Sequence, residues 1–91
     1  MNLEFDPGKA AANLRKHGAS FSEAATCLLD PLALVREDPA AQGEVRFVLI
    51  GMSEQVRLLT VCYTLRGEER IRLISARKAT TMEERQYAQG V

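Results

Sequence analysis

The most regular alternation of hydrophobic and polar residues lies at 70–78, where arginines alternate with branched apolar side chains at the two-residue period of a β-strand. Alternation divides the nine residues between two faces, with Ile71, Leu73, Ser75 and Arg77 on one and Arg70, Arg72, Ile74, Ala76 and Lys78 on the other. Neither face is purely apolar. A strand with this much positive charge is typical of a solvated sheet edge or of an anion-binding surface.

Four other segments have the apolar runs of strands. They lie at 3–5, 32–35, 45–52 and 56–65. Short turns at 53–55 and 66–69 join the last two to each other and to the strand at 70–78, which predicts an antiparallel meander. The acidic segment at 36–44, which contains proline and glycine, is predicted to be a mobile loop that returns the chain to the meander.

The first helix is predicted over 9–17, a segment rich in good helix formers. An Asp-Pro pair at 6–7 supplies an N-cap and a first helical residue, and Gly18 ends the helix as a left-handed C-cap. At a spacing of four residues, one polar side of this helix carries Lys9, Asn13 and His17. His17 is the only histidine in the chain.

Capping patterns predict two further helices. Ser20 or Ser22 begins a helix of about eight residues that the Asp-Pro pair at 30–31 stops. Capping boxes that start at Thr80 and Thr81 predict a last helix of about two turns, which Gly90 closes. The predicted order is β-α-α-β-β-β-β-α, an α+β domain with helices packed on an antiparallel sheet.

Composition limits the chain to one small domain, predicted to span 1–91, because 91 residues with 46% hydrophobic content support a single modest core. The 12 basic and 12 acidic residues cancel, which argues against indiscriminate binding to nucleic acid. Their distribution is uneven, however. Residues 1–45 contain four basic and seven acidic side chains, whereas 46–91 contain eight basic and five acidic ones, so the positive half coincides with the predicted sheet.

The two cysteines, Cys27 and Cys62, lie in apolar runs without the spacing of a zinc site or a disulfide framework, which favours buried free thiols. The sequence contains neither a signal-peptide pattern nor an apolar run of the ~20 residues that span a bilayer. We therefore expect a soluble cytoplasmic protein that has no membrane partner.

Motifs for nucleotide cofactors, for a nucleophilic serine and for metal-binding carboxylates are missing, so neither a cofactor nor a metal is predicted. The strands instead carry a set of cations: Arg46, Arg57, Arg70, Arg72, Arg77 and Lys78. Such a set suits metal-free cleavage of RNA by attack of the ribose 2′-hydroxyl on its own phosphate, because arginine stabilises the negative charge that develops on the phosphoryl oxygens. The reaction also needs a base and an acid, for which His17, Glu84 and Tyr87 are the candidates.

Most of these residues also have a purely structural interpretation. A histidine near a helix C-terminus, such as His17, favours the helix dipole, and Glu83 and Glu84 suit the first turn of the last helix. Tyr63, in an apolar strand, suits the core. The pair at 77–78 differs because it directly precedes a helix N-terminus, whose exposed N–H groups already favour an anion, so a phosphate site is predicted there.

The same residues belong to a series of short motifs spread over 5–87. In order they are Phe5-Asp6-Pro7, Lys9, Asn13 with Lys16-His17-Gly18, Phe21 with Ala24, Asp30-Pro31, Arg46 with Ile50-Gly51, Tyr63-Thr64, the run from Ile71-Arg72 to Ala79, and Glu84-Arg85 with Tyr87. In this order and at this separation they resemble the BrnT family of bacterial toxins. The segment 26–29 departs from the family in lacking the aromatic residue often found before the Asp-Pro pair, which concerns packing rather than catalysis.

The resemblance implies a type II toxin with a RelE-like fold that acts as a ribonuclease and inhibits translation. It also implies neutralisation by a BrnA-type antitoxin, a ribbon-helix-helix protein that binds operator DNA and represses the operon together with the toxin. Operator DNA would then be contacted only through the antitoxin. The family's motif positions in this chain are Lys9, Asn13, Lys16, His17, Arg46, Arg72, Arg77, Glu84 and Tyr87.

The leading hypothesis is therefore a metal-independent endoribonuclease. Arg77 would stabilise the phosphate, His17 or Glu84 would act as base, and Tyr87 would donate to the leaving group or stack on a base. The RNA backbone would be held by Lys9, Lys16, Arg46, Arg72 and Lys78. This hypothesis requires the sheet cations, the histidine-bearing helix and the last helix to converge on one concave site.

Two alternatives remain from the sequence alone. One is a non-catalytic co-repressor that docks on a ribbon-helix-helix DNA-binding protein through its basic sheet. The other is a free-standing RNA-binding module, although the sheet lacks the paired exposed aromatic residues that such a module uses to stack bases.

Overall fold

A computed structural model describes residues 2–90, which form five strands and three helices. The elements, in order, are β1 (Asn2–Glu4), α1 (Pro7–His17), α2 (Phe21–Cys27), β2 (Leu34–Glu37), β3 (Arg46–Met52), β4 (Leu58–Arg66), β5 (Arg70–Lys78) and α3 (Thr81–Gln89). The α+β class and the order β-α-α-β-β-β-β-α are confirmed. The predicted caps of α1 are also present, because the Asp6 carboxylate accepts the Gly8 N–H and Gly18 has a φ of 68°.

The five strands form one sheet in the order β1-β5-β4-β3-β2. Strands β2 to β5 pair as the predicted antiparallel meander, but β1 runs parallel to β5, so the sheet is mixed rather than wholly antiparallel. The parallel pair is possible because α1, α2 and strands β2 to β4 lie between β1 and β5 in the chain, and a parallel pair requires such a long connection.

Strand β5 contains a β-bulge. The adjacent residues 62–63 of β4 pair with β5 residues two apart, at 75 and 73, so Ile74 has no partner. One unpaired residue reverses the alternation of the strand beyond it. Arg72 and Arg77 therefore lie on the same face, and the prediction from strict alternation, which separated them, was wrong.

The two faces of the sheet are covered differently. Helices α1 and α2 pack on the face that we call the core face, where the buried apolar residues are Ala19, Phe21, Ala24, Cys27, Leu49, Leu59, Val61, Ile71, Leu73 and Ala76. Of the three described helices, only α3 lies against the other face, which we call the open face, through β3 and through a hydrogen bond to Thr60 of β4. The arginines of β3 and β5 lie on this open face.

Several element bounds differ from the prediction by one to three residues. Strand β4 begins at Leu58 rather than 56, because Val56 adopts a φ of 60° in the turn that Ser53 and Arg57 close with a backbone hydrogen bond of 2.8 Å. Strand β2 likewise begins at Leu34, after the Asp30 carboxylate accepts the Leu32 N–H in a turn. The remaining shifts are of the same kind and leave the topology unchanged.

Candidate functional site

Cross-strand pairing arranges the open face in three rows. From β3 through β4 to β5 they are Arg46, Thr64 and Arg72; then Val48, Cys62 and Ser75; then Ile50, Thr60 and Arg77. Helix α3 lies against the third row through Glu83, and its Gln86 lines a cavity with Val48 and Ile50 of β3. The arginine pair of the first row and the helix-bound Arg77 of the third row therefore lie at opposite ends of these three rows.

The third row ends in a group of polar contacts that we call the Arg77 cluster, made of Arg77, Glu83, Thr60 and Thr80. Arg77 donates to both carboxylate oxygens of Glu83, from Nη1 at 2.8 Å and from Nη2 at 3.1 Å. The same carboxylate accepts the Thr60 hydroxyl and the Thr80 N–H, each at 2.9 Å. Glu83 thus completes the capping box of α3 and fixes Arg77 at the same time.

These contacts keep Glu83 ionised. Burial alone would raise the pKa of Glu83, but the hydrogen bonds from Arg77, the Thr80 N–H and Thr60 outweigh it and lower the pKa to about 2. In return, the Glu83 carboxylate raises the pKa of Arg77. A carboxylate held in this state is a poor proton acceptor at neutral pH, so Glu83 orients Arg77 rather than serving as a base.

Arg77 keeps part of its hydrogen-bonding capacity. A guanidinium has five N–H donors, and within residues 2–90 three of them are used, two by Glu83 and one by the Lys78 carbonyl at 3.3 Å. The two that remain are the Nε–H and one Nη2–H, which point to the same side and can bind two phosphate oxygens together. Since 42% of the Arg77 side chain is exposed, an anion can reach them.

The first row, which we call the arginine row, consists of Arg46, Thr64 and Arg72. Neither arginine makes a hydrogen bond to any of the residues that the structure describes, and the nearest carboxylate oxygens are 3.7 Å away for Arg46, on Glu44, and 3.6 Å for Arg72, on Glu4. The Arg46 Nε is buried without an acceptor. Unlike Arg77, these two guanidinium groups are only loosely paired.

His17 lies at the edge of the sheet. Asn13 of α1 binds the edge of β5 beyond its pairing with β1, where its amide donates to the Ala76 carbonyl at 2.8 Å and accepts the Ala76 N–H at 3.1 Å. His17 is one turn further along α1 on the same side, beside the end of β5 where Arg77 lies. Consistent with this position, the next residue, Gly18, accepts a hydrogen bond from Arg57 at the start of β4.

The structure does not join His17 to the Arg77 cluster. His17 is exposed, and within residues 2–90 no hydrogen bond or ion pair links it to Arg77, Glu84 or Tyr87. Helix α1 packs on the core face, whereas the Arg77 side chain lies on the open face, so the two residues flank the β5 edge. The single concavity that we predicted is replaced by a surface that runs around this edge.

The three predicted lysines lie outside the open face. Lys9 and Lys16 are exposed on α1, on the side that Asn13 anchors to β5, and Lys78 is exposed at the end of β5. The pairing of Lys78 with Leu59 directs it toward the core side of the sheet. These lysines extend the positive charge around the β5 edge but do not join Arg46, Arg72 and Arg77 on the open face.

Helix α3 directs different residues to the sheet than we predicted. Gln86 lines a cavity of about 200 Å³ with residues of β2 and β3, among them Val48 and Ile50. Glu84 is exposed about half a turn away from Gln86 around the helix, so it lies on the opposite flank of α3. The structure therefore does not bring Glu84 to the open face.

Tyr87 fastens α3 to the body of the protein. Its hydroxyl donates to the Asp30 carboxylate at 2.6 Å, and the same carboxylate accepts the N–H groups of Leu32 and Met52. The hydrogen bond to Asp30, together with burial, raises the pKa of Tyr87 to about 12. In this arrangement Tyr87 holds its proton firmly and acts as an anchor for the helix.

Sequence reasoning missed the part that Glu83, Thr60 and Gln86 have in this site. Glu83 was recognised only as a capping residue, and its spacing of six from Arg77 gave no sign of an ion pair. Within residues 2–90 no three His, Cys, Asp or Glu side chains group as metal ligands. None of the described helices is long and apolar enough to cross a bilayer.

Comparisons with known proteins relate this chain to a protein family and to a solved structure. Residues 5–83 match the protein family described as "Ribonuclease toxin, BrnT, of type II toxin-antitoxin system". The fold is similar to that of the Brucella abortus ribonuclease toxin BrnT, known from a crystal structure at 1.1 Å resolution, with a TM-score of 0.66 and 24% identity over 89% of this chain and 99% of the other. No match was found among curated proteins.

Proposed function

Because the chain belongs to the BrnT family of ribonuclease toxins of type II toxin-antitoxin systems, we propose that it is an endoribonuclease that cleaves RNA without a metal ion and thereby inhibits translation. The observation that carries this proposal is the grouping of Arg46, Arg72 and Arg77 on one sheet face that no helix fully covers. Arg77, which the Glu83 carboxylate holds on the sheet, is suited to a phosphodiester because the position of its guanidinium is set before the substrate arrives.

The proposed reaction is attack of a ribose 2′-hydroxyl on the adjacent phosphate, with departure of the 5′-oxygen. Arg77 is proposed to bind the scissile phosphate through its Nε–H and remaining Nη2–H, which the Glu83 carboxylate orients. The transition state carries more negative charge on these oxygens than the ground state does, so a fixed guanidinium lowers the barrier.

For proton transfer we propose His17 or Glu84 as the base. His17 is favoured by its position beside the end of β5, where Arg77 lies. An RNA strand that crosses this edge of the sheet would pass both residues. Tyr87 is proposed as the acid only if RNA binding releases it from Asp30, since the present hydrogen bond raises its pKa to about 12. His17→Ala and Glu84→Ala separate the two bases, because removing a general base costs about 10²–10⁴-fold in rate.

The remaining cations are proposed to hold the RNA backbone. Arg46 and Arg72 do so on the open face, and Lys9, Lys16 and Lys78 do so around the β5 edge. Such contacts fix the position of a strand but do not read its sequence. We propose that residues 1–91 act as a single domain in the cytoplasm.

We further propose that a BrnA-type antitoxin with a ribbon-helix-helix domain masks this surface and carries the toxin to operator DNA, where the two repress the operon together. The opposite charges of the two halves of the chain support this, because an acidic partner segment would associate rapidly with the positive sheet. Binding would weaken as salt increases.

The decisive experiment incubates the purified protein with single-stranded RNA in EDTA. We expect fragments that end in a 2′,3′-cyclic phosphate, and we expect resistance when the cleaved nucleotide carries a 2′-O-methyl group. Intact RNA, or cleavage that appears only when Mg²⁺ is restored, would contradict the proposal.

One observation favours a second function, that of a non-catalytic co-repressor. Arg77 is already paired with Glu83, and the Tyr87 hydroxyl is already bound to Asp30. If the protein is harmless on expression and cleaves no RNA, yet co-purifies with a small ribbon-helix-helix protein, this second function is the correct one.

A further inference from the structure

We propose that the arginine row binds a second backbone phosphate of a single-stranded RNA, several nucleotides away from the phosphate at Arg77. This inference rests on the proposed function, and it adds a substrate class and a minimum length to it. The row and the Arg77 cluster would be two phosphate subsites on one face of the sheet.

The spacing of the two arginines suits one phosphate. Arg46 and Arg72 flank Thr64 on adjacent strands, so their Cα atoms are separated by two strand spacings, about 10 Å. Two long side chains that extend from such positions can converge on one anion between them. The hydroxyl of Thr64 is buried and donates to the Val45 carbonyl at 2.6 Å, so it supports the row from below and does not compete for the anion.

The two arginines of the row are less tightly paired than other arginines of residues 2–90. Arg57 with Glu23 and Arg77 with Glu83 have hydrogen-bonded carboxylates. In contrast, Arg46 and Arg72 have only carboxylates at 3.6–3.7 Å, beyond a hydrogen bond.

The Nε of Arg46 also lacks an acceptor among the described residues, but it is closed to solvent. A phosphate at the row would therefore pair with the rest of the Arg46 side chain, which is 40% exposed.

The distance between the two subsites sets the length of RNA. Along β4, Thr64 of the row and Thr60 of the Arg77 cluster are four residues apart, which corresponds to about 13 Å. If the bases stack as in a DNA duplex, each nucleotide advances about 3.4 Å, so about four nucleotides cover this distance, and fewer are needed if the strand is extended. Between them lies the second row, where Val48, Cys62 and Ser75 are partly exposed and offer a surface for the intervening nucleotides.

The test uses DNA oligonucleotides of two to eight nucleotides, which lack the 2′-hydroxyl and report binding without cleavage. For the wild-type protein we expect the affinity, measured by fluorescence anisotropy, to increase by at least tenfold once the strand is long enough to reach both subsites, at about four nucleotides. In Arg46→Gln/Arg72→Gln this increase disappears, and the slope of log K against log salt for the octamer becomes smaller by about 0.7 for the lost phosphate.

The matched control is Arg15→Gln/Arg85→Gln, which removes the same charge from exposed residues that point away from the sheet on α1 and α3. It retains the length-dependent increase. Glutamine keeps most of the side-chain stem, and equal melting temperatures establish that both double variants are folded.

An unchanged increase in Arg46→Gln/Arg72→Gln, or an equal loss in the control, overturns the subsite. The DNA oligonucleotides lack the 2′-hydroxyl that would attack the phosphate, so their binding is measured independently of cleavage. A protein that binds them as expected but leaves RNA intact would refute the proposed function and not the subsite.

Discussion

The Arg77 cluster predicts a pH-dependent contribution of Glu83 to stability, which the variant Glu83→Gln removes. The pKa of Glu83 falls from 4.5 to about 2 on folding, and 2.5 pKa units correspond to about 3 kcal/mol. Only 12% of the Glu83 side chain is exposed, but 42% of Arg77 is, so solvent screens part of this interaction. We therefore expect Glu83→Gln to lower the free energy of unfolding by about 1–3 kcal/mol at pH 7.

The dependence on pH has a definite direction. Because the folded protein holds Glu83 ionised at a lower pH than the unfolded chain does, the contribution is complete above pH 4.5 and is lost as the pH falls toward 2. Urea unfolding at pH 7, 5 and 3 measures it. The difference between wild type and Glu83→Gln is expected to be constant from pH 7 to 5.5 and to fall by about half at pH 3.

Glu84→Gln is the matched control, since it removes the same charge from the same helical turn at an exposed position. It is expected to change the free energy of unfolding by less than about 0.5 kcal/mol at every pH. Equal losses in the two variants, or a Glu83→Gln difference that does not change between pH 7 and 3, would refute the assignment of Glu83 as the buried partner of Arg77.

Three further predictions concern the parts of the fold that position the site. Asn13→Ala leaves the N–H and carbonyl of Ala76 unpaired at a buried edge, so we expect a loss of about 2–4 kcal/mol in urea unfolding, and a loss below 1 kcal/mol would contradict it. In Gly51→Ala the new Cβ lies 2.9 Å from a leucine methyl carbon and 3.0 Å from a backbone oxygen, so we expect the free energy of unfolding to fall by about 1–3 kcal/mol. A lower melting temperature would report this loss, and an unchanged one would contradict it. Tyr87→Phe removes the phenol bound to Asp30, so the alkaline absorbance titration should lose the change near pH 12 that belongs to Tyr87 and keep that of Tyr63, whose pKa burial also raises. An unchanged amplitude near pH 12 would show that this change does not come from Tyr87.

The helices and the meander could be predicted because their signals are local. Asp6, Gly18, Ser20 and Thr80 are caps whose partners lie within four residues, and the structure contains all four caps. The alternation in 70–78 likewise located β5 to the residue. The direction of β1 could not be predicted, since three residues of alternating pattern fit a parallel or an antiparallel partner equally well.

The bulge in β5 shows why the candidate site was harder to predict than the fold. Nothing in the run from Arg70 to Lys78 marks Ile74 as unpaired, because a bulge arises from the pairing of two strands and not from the composition of one. Yet this residue decides whether Arg72 and Arg77 share a face. The role of Asn13 as a substitute partner for the β5 edge also depends on a contact over 63 positions in the chain.

In the proposed mechanism, Arg77 is the group that stabilises negative charge at the scissile phosphate, and the other roles depend on it. The direct test is the rate of RNA cleavage in EDTA by wild type, Arg77→Ala and the exposed control Arg15→Ala, each shown to be folded. We expect Arg77→Ala to be slower by at least ~10²-fold and Arg15→Ala to cleave at the wild-type rate. Undiminished cleavage by Arg77→Ala would contradict the proposed role of Arg77 at the scissile phosphate.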